Sequence, residues 1–223
     1  MQLLLTPDAS VAASALQGRL IAELQANHRV VWLVSGGSNI DASVQIMPTI
    51  PAKLRPQLTV MLSDERYGPV GHPDSNYQQF VSKGFDVSQV RFIPTLQPGL
   101  SLDDTAAAYA GVIQAEFASA DIIISQLGIG ADGHIAGALP GTVATTSDAW
   151  VVGYKSDPYQ RITLTFPALR QIQADYSLVY GGDKRTALQG LLRTDMSLSV
   201  QPAQILQQLP EAYVYNDQLG DSI

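Results

Sequence analysis

The chain has 223 residues, 46% hydrophobic and 15% charged, which is long enough for a substantial core and ordinary in composition for a globular protein. Its formal net charge of −7 argues against nucleic acid and anionic membrane as partners, so any anionic ligand must be held by a local cluster of positive groups. With no cysteine there is no disulfide framework, zinc–thiolate site or thiol nucleophile, which fits a reducing interior.

In chain order, Met1 to Leu5 breaks at Thr6-Pro7-Asp8 and lacks the charged start and long apolar core of a secretion signal. No apolar run reaches membrane-spanning length, so a cytoplasmic protein is expected. Thr6 followed by Pro7 predicts an N-cap and first turn, opening a helix to Asn27 with Val11, Ala15, Leu20 and Leu24 on its apolar face. The apolar run Val30 to Leu33 then ends in Val34-Ser35-Gly36-Gly37-Ser38. Such a turn at a strand end offers backbone N–H groups as an anion nest, or is a plain bend with Ser38 as a helix cap. It is not a P-loop, because that motif's lysine and spacing are missing.

A second run, Leu58 to Leu62, is followed by Ser63-Asp64-Glu65-Arg66, a Gly- and Pro-rich loop from Tyr67 to Asp74, and a helix starting at Ser75-Asn76-Tyr77. Gly68 and Gly71 suit that loop to a lid role. Arg91 to Ile93 predicts a short strand, and Ser101 with Asp104 a capping box for a helix to about Ala118.

The run Ile122 to Ile124 leads into Leu127-Gly128-Ile129-Gly130-Ala131-Asp132-Gly133-His134. Glycines at the carboxyl end of a parallel strand let backbone approach a ligand, and a histidine exchanges protons near neutral pH. Read alone, the segment fits equally a strand-to-helix turn with Asp132 as cap and His134 at the surface. Trp150 to Val152 and Arg161 to Thr165 predict strands, and Pro167 starts a helix. Ser177 to Tyr180 predicts a further strand, closed by Gly181-Gly182-Asp183-Lys184 and a helix through Leu192. A short helix after Pro202 and a strand at Ala212 to Tyr215 complete the chain. Strands alternating with helices predict a single α/β domain over residues 1–223, with a mostly parallel Rossmann-like sheet covered by helices on both faces.

These residues together resemble the 6-phosphogluconolactonase family. The resemblance is carried in order by Ser35 to Ser38, Asp64-Glu65-Arg66 with Asp74 to Tyr77, Leu127 to His134, Arg161 to Thr165 with Pro167, and Gly182 with Lys184. Glucosamine-6-phosphate deaminases belong to the same wider group, but their ring-opening glutamate is replaced here by Leu139, which cannot move a proton. The chain departs from the lactonase pattern at Asn39-Ile40, in place of Thr-Pro, and at Ile135 and Gly137 after the histidine.

The resemblance implies hydrolysis of 6-phospho-D-glucono-1,5-lactone, a small phosphosugar lactone; hydrolysis of an activated ester needs neither metal nor cofactor, and strands covered by the chain's own helices predict a monomer. His134 is implied as general base on water, with Asp132 orienting it or capping a helix. Arg66 is implied either at the developing oxyanion or at the phosphate. Asp64 bonds sugar hydroxyls or holds Arg66. Gly36, Gly37, Ser38 and Lys184 are implied at the phosphate, and Asn76 contacts a hydroxyl or caps its helix. Arg161 and Arg185 are weaker candidates, and His28 and His72 are expected to be ordinary surface residues. A deaminase-like enzyme and a non-catalytic phosphosugar sensor are the alternatives.

Overall fold

Short runs of β-branched and aliphatic residues, each ending at a glycine or polar residue, set the strands of the computed structural model, which describes residues 1–193 and 196–220. The strands are β1 (Gln2–Leu5), β2 (Val30–Val34), β3 (Leu58–Leu62), β4 (Asp64–Arg66), β5 (Arg91–Ile93), β6 (Ile122–Gln126), β7 (Val151–Ser156), β8 (Tyr159–Leu164), β9 (Ala174–Val179) and β10 (Glu211–Asn216). The helices are α1 (Ala9–Gln25), α2 (Ile40–Ile46), α3 (Asn76–Ser82), α4 (Leu102–Ser119), α5 (Phe166–Leu169) and α6 (Arg185–Leu191).

Among the described residues, seven strands form a parallel sheet in the order β1-β10-β9-β6-β2-β3-β5. β2 and β6 are neighbours, but the chain leaves β2 toward β3 on one side and β6 toward β9 on the other. This is a topological switch point, where open α/β sheets keep a crevice. Both faces are covered. Val30, Trp32 and Val34 pack with Leu16, Leu20 and Leu24 of α1, while Val31 and Leu33 join Ile113 of α4 and Leu188 of α6 on the other face. Full burial of β2 on both faces explains its unbroken apolar run.

Several local expectations are corrected. Asp8, not Thr6, caps α1, its carboxylate accepting from Ser10 N–H at 2.8 Å, so Pro7 lies before the helix. The buried stripe of α1 is Ala12, Ala13, Leu16, Leu20 and Leu24, and Val11 stands exposed. Residues 2–5, for which the sequence pattern predicts no element, form an edge strand. A three-stranded antiparallel sheet, β4-β8-β7, stands beside the parallel one and was not anticipated. No helix among the described residues is long and apolar enough to cross a membrane.

Candidate active site

A cavity of about 270 Å³ lies over the switch point, lined by both glycine turns together with Arg66, His134, Arg161 and Lys184. After β2 the chain turns at Gly36 and Gly37 (φ +71°) into a 3₁₀ turn, Gly37–Asn39, that leads into α2. No side chain caps this turn, Ser38 included, which leaves its leading N–H groups available to an anion. Buried Gln126, at the end of β6, holds the turn from beneath. Its Nε2 donates to the Asn39 carbonyl and its Oε1 accepts from Ser43 Oγ, both at 2.8 Å.

The loop after β6 folds back on itself through an Ile129–Ile135 bridge and a hydrogen bond from Gly130 N–H to the His134 carbonyl at 2.9 Å. No helix follows it, so Asp132 is not a helix cap. Instead Asp132 Oδ1 lies 2.7 Å from His134 Nδ1 and accepts from the His134 backbone N–H at 3.1 Å. Glycine at 130 is required sterically, because a Cβ there would stand 2.1 Å from His134 Nδ1. Partial burial pushes the Asp132 carboxyl up, but the His134 charge and hydrogen bonds outweigh it and hold the group below its ordinary value. A carboxylate only accepts, so in the neutral ring the proton sits on Nδ1 and Nε2 has the lone pair.

Short β4 brings the Asp64-Glu65-Arg66 segment against β8, with Asp64 opposite Thr163 and Arg66 opposite Arg161. The guanidinium carbons of Arg66 and Arg161 lie 5.2 and 5.6 Å from the Tyr159 ring centre. Arg66 Nη1 donates to the Asp74 carbonyl at 3.2 Å, Arg161 Nε donates to Ser156 Oγ at 2.8 Å, and neither meets a carboxylate among the described residues. Two unneutralised guanidiniums on one cavity wall favour negative charge there, whether of a bound anion or of a developing oxyanion.

Glu65 is wholly buried, and its two oxygens accept from Arg66, Asn76 and Tyr77 N–H and from Ser75 Oγ at 2.5–3.0 Å. Burial raises its pKa against the pull of these bonds. Ser75 caps α3 by accepting from Gln78 N–H, so Asn76 does not. The Asn76 amide donates to the Asp64 carbonyl at 2.9 Å and packs on Gly36, where a Cβ would stand 2.1 Å from its Oδ1. Asp64 is 7% exposed and borders the cavity. His72 is not a free surface residue. Its Nε2 donates to the Arg66 carbonyl at 2.9 Å, fastening the 67–74 loop to the end of β4. His28 is exposed, as expected, and pairs with Glu23 at 2.6 Å.

Lys184 closes the far side. Gly181 (φ +113°) bends the chain after β9 into a 3₁₀ turn, Gly182–Lys184, and the lysine Nζ lies 3.2 Å from Asp183 Oδ2. Every site residue taken from the sequence except Asp132 borders the cavity, and Asp132 acts on it through His134. Arg185 does not border it, whereas Arg161, the other weak candidate, does. Glu65, Gln126 and Tyr159 were missed. The alternating block around Arg161 was the one available sign that its neighbours share a wall.

Fold and crevice define an α/β protein with a cation-lined cavity at the carboxyl ends of a parallel sheet, beside a carboxylate-oriented histidine. The family profile described as glucosamine-6-phosphate isomerases/6-phosphogluconolactonase matches residues 7–214. The chain belongs to this family. It is 31% identical over 212 residues to a 6-phosphogluconolactonase of Caulobacter vibrioides, covering 88% of this chain and 87% of that one. Against the 6-phosphogluconolactonase of Pseudomonas aeruginosa it is 27% identical over 194 residues, covering 82% and 80%. The crystal structure of 6-phosphogluconolactonase from Thermotoga maritima shares the fold with a TM-score of 0.79 at 21% identity, covering 96% of this chain and 97% of that one.

Proposed function

We propose that this chain hydrolyses 6-phospho-D-glucono-1,5-lactone to 6-phosphogluconate in the pentose phosphate pathway, as a single-domain cytoplasmic monomer without a cofactor. The observation that carries the reading is the His134–Asp132 pair at 2.7 Å, with His134 lining the same cavity as Arg66, Arg161 and Lys184. The names of the relatives supply the substrate.

Water is a weak nucleophile at neutral pH and opens the ring ester only slowly unaided. His134 Nε2 takes a proton from it as it attacks the lactone carbonyl. The carbonyl oxygen becomes negative in the tetrahedral state, and Arg66 is the donor aimed at it, an effect worth roughly 3 kcal/mol for such donors. The imidazolium then returns its proton to the departing ring oxygen. Lys184 and the N–H groups of Gly36, Gly37 and Ser38 hold the phosphate, and Asp64 meets a sugar hydroxyl.

The test follows acid release from freshly made 6-phosphogluconolactone above the spontaneous background. Turnover that falls about 10²- to 10⁴-fold in His134→Ala supports the reading. Binding without turnover by the wild type points to a sensor. Ammonia release from glucosamine 6-phosphate points to a deaminase.

A further inference from the structure

We infer that Gln201 is a positioning residue that couples the loop carrying His134 to the helix that follows Lys184, so that proton carrier and phosphate grip are held as one unit. Gln201 is 3% exposed and far from both residues in sequence. Its Nε2 donates to the Ala187 carbonyl, in α6, at 2.6 Å, and its Oε1 accepts from Gln204 Nε2 at 2.8 Å. Its stem presses on Gly133, where a Cβ would stand 2.7 Å from Gln201 Cγ. Beside this contact, Ala203 N–H donates to the Gly133 carbonyl at 3.0 Å. Gly133 immediately precedes His134, and Lys184 immediately precedes α6.

An aliphatic side chain supplies packing at such a joint without an amide to desolvate. What the amide adds is a fixed separation between loop and helix, because a hydrogen bond has a set length and direction. The joint has no slack on the helix side either, since a Cβ at Gly190 would stand 2.5 Å from Gln201 Oε1. Gln201 heads a stack spaced every third residue, the period of a 3₁₀ helix. Gln204 Nε2 donates to the Gly190 carbonyl at 2.6 Å and Gln207 Nε2 to the Leu191 carbonyl at 2.8 Å, so the segment Pro202–Gln208 grips the end of α6 along its length.

The structural arm of the test uses hydrogen–deuterium exchange on the ligand-free protein and Gln201→Met, which keeps side-chain length but loses the amide. Exchange should quicken roughly fivefold to tenfold, as loss of one buried hydrogen bond allows, in both the Gly130 to His134 turn and α6. β2, β3 and α2 should be unchanged. Faster exchange in one segment alone, or uniformly through the molecule, overturns the inference. Should Gln201→Met fail to fold, Gln201→Asn, one methylene too short for the span, carries the same expectation.

The kinetic arm rests on the lactonase reading. Gln201→Met should raise KM and lower kcat together, and the KM increase should vanish in a Lys184→Ala background; additive KM increases overturn the coupling. Absence of turnover in the wild type overturns the lactonase reading and leaves exchange to decide the role of Gln201.

Discussion

His134 Nδ1 and Asp132 Oδ1 lie 2.7 Å apart, in a loop whose backbone N–H at His134 also bonds that carboxylate oxygen. The carboxylate therefore sets the ring's orientation and its tautomer. Asp132→Asn keeps the shape but removes the charge, and kcat should fall about tenfold, the value of one charge-assisted hydrogen bond. KM should change little, since no ligand contact is lost. Steady-state kinetics with the phosphorylated lactone check both parts.

Gly130→Ala tests the same pair from the other side. The added methyl would stand 2.1 Å from His134 Nδ1 and 2.5 Å from Asp132 Oδ1, so the ring must leave its place. The backbone at 130 is not left-handed, and the three atoms nearest the methyl all belong to His134 and Asp132. Activity should fall by at least roughly tenfold while the melting temperature moves by only a few degrees. A variant as active as the wild type would show that the ring's seat is immaterial.

Glu65→Gln turns one of two buried acceptors into a donor facing donors. Four groups point at the carboxylate: N–H of Arg66, Asn76 and Tyr77, and Ser75 Oγ. The loss should be about 3 kcal/mol of stability, measured by urea unfolding. Because Arg66 and Asn76 hang on the same carboxylate, the folded fraction should also bind 6-phosphogluconate more weakly.

Asp175 supplies a pH dependence unrelated to the cavity. Burial pushes its carboxyl up to about 7, against hydrogen bonds from Ser125 Oγ at 2.5 Å and Ser177 Oγ at 2.7 Å. A folded pKa above the unfolded one means that the contribution to stability is complete below the ordinary value of 3.8 and is lost as pH rises through about 7. Asp175→Asn should therefore gain on the wild type between pH 4 and pH 8, by up to about 4 kcal/mol. Unfolding curves at both pH values give the sign directly; a variant that loses ground at high pH contradicts it.

The parallel sheet was legible because Val30 to Val34, Leu58 to Leu62 and Ile122 to Ile124 are apolar runs cut off by small or polar residues, and two of them end in glycine turns. β4 was not, since three residues, Asp64 to Arg66, are too few to show a period and exist as a strand only through β8. Gln2–Leu5 is likewise a strand by virtue of β10, more than 200 residues away. The cavity lining was legible where chemistry and turn coincide, at His134, Arg66 and Lys184. Glu65 and Gln126 escaped notice because their importance lies in distant backbone groups that folding alone brings near. Thr6 before Pro7 predicts a cap by pattern, while the carboxylate of Asp8, one residue beyond the proline, is the better acceptor.

Arg66 and Arg161 sit in register across two strands, and both guanidiniums lie against the ring of Tyr159. Neighbours of like sign repel in that position, and the charge of a phosphate held at Lys184 in the same cavity eases the repulsion. Phosphate or sulfate in a storage buffer will then act as preservative and rival at once: the salts in which this protein keeps best will be those in which it works slowest.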